Sequence, residues 1–321
     1  MKDSYGRNID YLRISITDRC NLRCTYCMPE EGISCIKHED ILTYEEIEII
    51  CKHMSRIGLK HVKITGGEPL ARKESWRLIE KLKAIPLIET VTLTTNGMLL
   101  KETAQNLVKA GMDGINISLD TLDEKEYEKI TRGGSVKKVL NGLETMLSYP
   151  QVTIKINCVL SGNGWKKNAI SMAELAKKYA VHVRFIEYMP TGLNDDNQVK
   201  FQDQVRKTLE EAYGLSNECE RPLGFGPSSY YAFPDFRGKI GFISAISHKF
   251  CETCNRIRLT ADGKLRLCLQ SADAVDLKAL VRQGKESELN AVIQNAVLYK
   301  PKEHHFDNQN IETESMSQIG G

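Results

Sequence analysis

The sequence predicts an α/β fold: a partial (β/α)6 barrel of the TIM-like kind, followed by a smaller C-terminal α+β domain. Three observations carry this. Short apolar runs alternate with helical patterns six times through the first 190 residues, and such alternation builds a parallel sheet with right-handed crossovers. The residues able to do chemistry gather just after those runs, where the loops of a ring-like sheet meet. Beyond Pro190 the repeat stops and Gly, Pro and Ser punctuate a different pattern.

The first run, Tyr11–Thr17, opens into a loop carrying three cysteines. The second, His61–Thr65, leads into Gly66-Gly67-Glu68-Pro69, and the third, Thr90–Thr95, into Asn96-Gly97. Gly114–Leu119 ends around Ser118, Val152–Leu160 follows, and Val181–Glu187 delivers Met189 just beyond its end. Thr43 followed by Glu46, and Asp123 followed by Glu126, are capping-box patterns that start helices between these strands. Residues 1–190 are therefore assigned to the barrel, with Gly192–Asp196 read as a loop at the boundary. Residues 191–300 form the second unit. It contains an amphipathic helix over Phe201–Tyr213 and strands over Tyr230–Phe233 and Ile240–Ile246. A hairpin of Arg256–Thr260 with Leu265–Leu269 turns at Asp262-Gly263. From Pro301 to Gly321 the chain is polar, and its composition alone reads as an unstructured tail.

Composition narrows the function classes. Lys and Arg number 44 against 42 Asp and Glu, a net charge of +2, so no general basic surface awaits nucleic acid or membrane. An anionic ligand must be held by a local cluster instead. No apolar run approaches the roughly 18 residues that span a bilayer, and the polar start lacks the apolar core of a signal peptide, so a cytoplasmic protein is expected. In a reducing compartment its ten cysteines are not expected to pair as disulfides. Four are scattered, at Cys35, Cys51, Cys158 and Cys219, and of these Cys51 and Cys158 read as small apolar core residues.

The other six form two groups. Cys20, Cys24 and Cys27 lie within eight residues on one loop, close enough to ligate a single inorganic cluster from one side and leave an iron open. The competing reading is zinc, but a closed zinc site takes four ligands and no fourth Cys or His follows at the expected spacing. Cys251, Cys254 and Cys268 make a second group of three across the hairpin. A second cluster and a zinc knuckle both remain open for it on spacing alone. Arg256 and Arg258, two apart on a strand, face one side and can hold an anion.

The Cys20-x3-Cys24-x2-Cys27 spacing, with Tyr26 before the last cysteine, resembles the signature of the radical S-adenosylmethionine superfamily. Thr65-Gly66-Gly67-Glu68-Pro69 resembles that superfamily's glycine motif. The likeness narrows to the branch that opens molybdenum cofactor biosynthesis through Leu12–Asp18, Gly114–Asp120, Arg184–Glu187, Phe250–Arg256 and the terminal Gly320-Gly321. It implies two 4Fe–4S clusters, on Cys20, Cys24 and Cys27 and on Cys251, Cys254 and Cys268. It implies S-adenosylmethionine contacts at Tyr26, Gly67, Ser118 and Met189. It implies GTP contacts at Arg13, Lys63, Thr94, Lys155, Arg256, Ile257 and Arg258, with Arg13, Arg256, Arg258, Gly320 and Gly321 serving catalysis.

The reaction implied is cyclisation of GTP between C3′ and C8, begun by a 5′-deoxyadenosyl radical. Where the family usually has an arginine, this chain has Lys63, which keeps the charge and loses the bidentate fork. The tail, on the resemblance, reaches back into the active site. The partners implied are an electron donor such as flavodoxin or ferredoxin and a following cyclic pyranopterin monophosphate synthase, in a monomer or homodimer. A peptide-modifying enzyme of the same superfamily is the alternative within the fold, and a zinc-binding structural protein is the alternative outside it.

Overall fold

The structure, a computed structural model, describes residues 1–160, 162, 164–189, 201–220, 223–271 and 273–304. Gly192–Asp196, Gly320 and Gly321 lie outside the described residues. The first half runs β1 (Tyr11–Ser15), α1 (Tyr44–Arg56), β2 (His61–Thr65), α2 (Trp76–Lys83), β3 (Thr90–Thr95), α3 (Leu100–Lys109) and β4 (Gly114–Ser118). It continues through α4 (Glu124–Thr131), α5 (Val136–Leu147), β5 (Thr153–Val159), α6 (Trp165–Lys178) and β6 (His182–Ile186). The second half holds α7 (Gln202–Tyr213), β7 (Asn217–Glu218), β8 (Ser229–Ala232), β9 (Ile240–Ile243), β10 (Arg256–Leu259), β11 (Lys264–Arg266), β12 (Ala274–Asp276), α8 (Leu277–Arg282) and α9 (Leu289–Leu298). None of the described helices is long and apolar enough to cross a membrane.

The strands form one sheet in the order β12-β11-β10-β1-β2-β3-β4-β5-β6-β9-β8-β7. β1 to β6 pair in parallel, and β10 and β9 extend this parallel set beyond β1 and β6. Antiparallel strands finish both edges. The C-terminal strands thus join the sheet of the N-terminal half at its two ends.

Alternation along each strand separates two faces. Leu12, Ile14, Val62, Ile64, Ile115 and Ile117 are fully buried and pack under the helices. The intervening positions turn to the lumen, and there the strands are polar: Arg13, Lys63, Thr94, Asn116, Asn157, Arg184 and Arg258. A single lumen is walled by residues from β10 round to β9, so the sheet curls into an incomplete barrel.

Thr43 caps α1 as its sequence requires, with its side chain accepting from Glu46 N at 3.1 Å while Glu46 accepts from Thr43 N at 2.8 Å. Asp123 also caps α4, but Glu126 turns its carboxylate to the Thr121 hydroxyl at 3.0 Å instead of closing a capping box. The predicted hairpin forms, with Gly263 in the turn at φ +85°, and its paired part is shorter than the expected strands.

Candidate functional site

The first cysteine loop begins where β1 ends. Thr17 and Arg19 offer their carbonyls to Gly67 N at 2.6 Å and Glu68 N at 2.8 Å, so the glycine turn after β2 lies flat on this loop. A methyl group on Gly67 would come within 2.4 Å of Arg19 O, which is the physical reason for glycine there. Glu68 turns inward and accepts from Asn96 N, Thr95 Oγ1 and Leu70 N at 2.7, 2.8 and 2.9 Å, joining the ends of β2 and β3. Burial lifts its carboxyl to about 7 against these bonds.

Cys20, Cys24 and Cys27 wall one end of the lumen. Leu22 N approaches Cys20 Sγ at 3.4 Å and Asn96 Nδ2 at 3.9 Å. Burial raises the Cys20 and Cys24 thiols above their ordinary range, and Asp120 adds to this at Cys24. Tyr26 donates its hydroxyl to Asp120 at 2.7 Å, and burial pushes the Asp120 carboxyl up to about 6. Gly67, Ser118 and Met189 stand around the same end of the lumen.

The middle of the lumen is cationic. Register places Arg258, Arg13 and Lys63 side by side on β10, β1 and β2. Arg184 joins them from β6, with its guanidinium on the Asn157 carboxamide oxygen at 3.0 Å from Nε. Burial, then neighbouring cations, lowers Lys63 and Arg258 well below their usual ranges and brings Arg13 down to about 10. Such mutual repulsion in a confined space is relieved by a polyanion.

Lys155 stands on the lumen face of β5, beside Asn116 and two residues before Asn157, but its side chain is turned to a neighbouring loop. Its ammonium is engaged by the Leu223 carbonyl and lies 5.4 Å from the Tyr230 ring centre, with burial and then Arg184 bringing it down to about 7. Ile257 presents its main chain rather than its side chain. Its side chain is fully buried in the core beside Leu12, because alternation turns it away from Arg256 and Arg258, so only its main chain can meet a ligand.

Cys251, Cys254 and Cys268 close the other end of the same lumen, with Arg256 and Arg258 beside them. Arg256 Nη2 lies 3.8 Å from Cys254 Sγ. Burial opposes ionisation of Cys254, but Arg256 and Lys300 outweigh it and bring the thiol down to about 7. Among the described residues no three His, Cys, Asp or Glu converge on a point that would hold a single metal ion. Soft thiolates, three at each end of one lumen, are a donor set suited to iron–sulfur clusters, in which each thiolate takes its own iron. Cys51 and Cys158 are fully buried core residues, as expected.

Several lumen residues escaped the sequence reading: Tyr11, Asn116, Asp120, Asn157, Arg184, Lys300 and His304. For three of those on strands a signal existed, since Tyr11, Asn116 and Asn157 each stand two places from an assigned residue, Arg13, Ser118 and Lys155. Arg184 had no such signal, because only the pairing of β6 with β5 sets it beside Asn157. Lys300 and His304 had none. His304 is buried, so the chain remains packed to that point, where composition alone suggested an unstructured tail.

Two family models match: the radical SAM superfamily over residues 14–163 and Molybdenum Cofactor Synthesis C over 181–306. The chain is 41% identical to the GTP 3′,8-cyclase of Pelotomaculum thermopropionicum and 42% to that of Desulforamulus reducens, each match covering 100% of both chains. The cyclase of Moorella thermoacetica is 41% identical, with the same coverage. In fold the chain is similar to SuiB of Streptococcus suis in its S-adenosylmethionine-bound crystal structure, with TM-score 0.66 and 14% identity over 98% of this chain and 78% of that one. The full-length likeness to these cyclases, joined to a lumen with cysteines at both ends, makes this chain a member of the GTP 3′,8-cyclase family within the radical SAM superfamily.

Proposed function

We propose that this chain converts GTP to (8S)-3′,8-cyclo-7,8-dihydroguanosine 5′-triphosphate, the opening step of molybdenum cofactor biosynthesis. The observation that carries the reading is the polarised lumen: Glu68 and Asp120 stand at the end holding Cys20, Cys24 and Cys27, and a bank of arginines and lysine leads to the end holding Cys251, Cys254 and Cys268. A sulfonium with an amino group suits the first region and a triphosphate suits the second. When bound, S-adenosylmethionine and the 4Fe–4S cluster of Cys20, Cys24 and Cys27 supply the radical that takes hydrogen from the nucleotide sugar.

The rest is positioning by the protein. Tyr26, Gly67, Ser118 and Met189 would surround S-adenosylmethionine, Gly67 through its main chain. Arg13, Lys63, Thr94, Arg256 and Arg258, with the main chain at Ile257, would hold GTP, and Lys155 would join them on leaving Leu223. Charge-assisted bonds from this set orient the ribose and neutralise the phosphates. A second 4Fe–4S cluster on Cys251, Cys254 and Cys268 would face the guanine. Gly320 and Gly321 would complete the catalytic set with Arg13, Arg256 and Arg258, closing the lumen against water.

In this reading residues 1–190 form the radical domain, 191–300 the auxiliary-cluster domain and 301–321 the tail. The enzyme works in the cytoplasm, draws electrons from a flavodoxin- or ferredoxin-like donor and delivers its product to a cyclic pyranopterin monophosphate synthase. The test is an anaerobic assay of reconstituted protein with S-adenosylmethionine, reductant and GTP, followed by mass spectrometry. The cyclised nucleotide and 5′-deoxyadenosine should both appear with GTP and vanish in Cys24→Ala. Formation of 5′-deoxyadenosine with GTP unchanged would point to another substrate, such as a peptide.

A further inference from the structure

The second cysteine group is assembled from distant pieces of chain, and the hairpin that carries it does not hold its own open end together. β10 and β11 pair only at Arg258 with Arg266 and at Leu259 with Leu265. Cys254 precedes the first of these pairs and Cys268 follows it, so both thiols sit where the strands have already parted. Lys300, 3% exposed, fills that gap. Its ammonium donates to Arg256 O at 2.9 Å, two residues after Cys254, and also to Leu267 O, immediately before Cys268.

The third thiol is tied to the same segment. Arg7 donates to Cys251 O at 2.8 Å, to Pro301 O at 2.7 Å and to Lys302 O at 2.8 Å, and is itself fixed by buried Asp3 at 2.6 Å. His304 bonds Cys251 through its main chain and meets Ala245 O at 2.8 Å through Nε2. Arg7, Arg256 and Lys300 therefore surround three thiols, and Asp3, the carboxylate bound to Arg7, is already neutralised by it.

We propose that Lys300 is a positioning residue for the second cysteine group: it staples the open end of the hairpin so that Cys254 and Cys268 face one cluster, and its charge favours the reduced, more negative form of that cluster. The inference rests on the reading of Cys251, Cys254 and Cys268 as cluster ligands. Charge and hydrogen bonds around a cluster set its potential. A methionine keeps the stem and removes both bonds and the charge, whereas an arginine keeps the charge and can donate to two carbonyls.

The experiment uses full-length protein with Cys20, Cys24 and Cys27 all changed to Ala, so that only the second group loads iron, reconstituted anaerobically and titrated electrochemically with EPR detection. If this parent takes up no iron, the cluster reading fails and the inference with it. If it loads, Lys300→Met should shift the midpoint potential to a more negative value or lose the iron, and Lys300→Arg should restore most of either effect. Loading and potential unchanged in Lys300→Met would overturn the role of Lys300 while leaving the cluster in place. Equal effects of the Met and Arg substitutions would also overturn it, since a role in packing alone does not discriminate between them by charge.

Discussion

Gly67 and Lys155 illustrate two ways in which a single side chain bears on the site. At Gly67 the space for a side chain is absent, because Arg19 O lies 2.4 Å from where a Cβ would stand. Gly67→Ala must push the cysteine loop away from β2, and we expect it to lower iron uptake at Cys20, Cys24 and Cys27 and to reduce 5′-deoxyadenosine formation at least tenfold, about 1.4 kcal/mol in the barrier. Iron analysis and a product assay check both. At Lys155 the issue is charge. Burial, then Arg184, brings the amine down to about 7, and a lysine is charged below its pKa. Its attraction for a triphosphate is therefore full near pH 6 and is lost as pH rises through 7, with a limit of about tenfold in affinity per pH unit for one proton. Calorimetric GTP binding to wild type and Lys155→Arg across pH 6 to 8 separates this from titration of the γ-phosphate. The ratio of the two affinities should change with pH, and a constant ratio would remove Lys155 from the phosphate site. Both residues were legible in the sequence, through a motif and a family resemblance. Asp120 and Arg184 stood in quoted stretches, yet their roles depend on Tyr26 and Asn157, which only the fold brings to them.

Helix α1 shows what an element encodes locally and what it borrows. Thr43 and Glu46 close a capping box that four residues of sequence specify, since the unpaired amides of a first turn need acceptors wherever the helix lies. Thr43→Ala should cost about 1 kcal/mol in urea denaturation of the metal-free protein, with little change in the slope against denaturant. Glu46 also accepts from Arg282 of α8 at 2.7 Å, a tie between residues 236 apart that no local pattern could announce. The same contrast holds for strands. β1 to β6 were legible because each is a short apolar run between turn signals, and their ends moved by at most two residues. β1 stops at Ser15, short of the expected Thr17, because Thr17 gives its carbonyl to Gly67. β7 and β12, two and three residues long, are set by pairing partners and leave no periodic trace.

At the scale of the whole molecule the sheet joins both halves of the chain. β1 pairs with β10 over four residues and β6 with β9 over four, so cutting after residue 190 would bare two edges at once and open the lumen to water. We expect the fragment 1–190 to elute as aggregate in size exclusion, and the metal-free full chain to unfold in one transition that circular dichroism and intrinsic fluorescence report alike. A well-folded soluble fragment would show that the barrel stands without its C-terminal strands. The βα alternation, the six candidate cysteine ligands, the glycine turn and the paired arginines can all be read along the chain. Each is a local matter of period, spacing or backbone freedom. Folding is what makes β9 and β10 continue the sheet, opens both cysteine groups onto one lumen, turns Ile257 to the core and sets Lys300 and Arg7 against the second group. Those facts depend on which strand edges meet and how the sheet curls, and such contacts join residues from 33 to 245 positions apart whose own neighbourhoods carry no record of them.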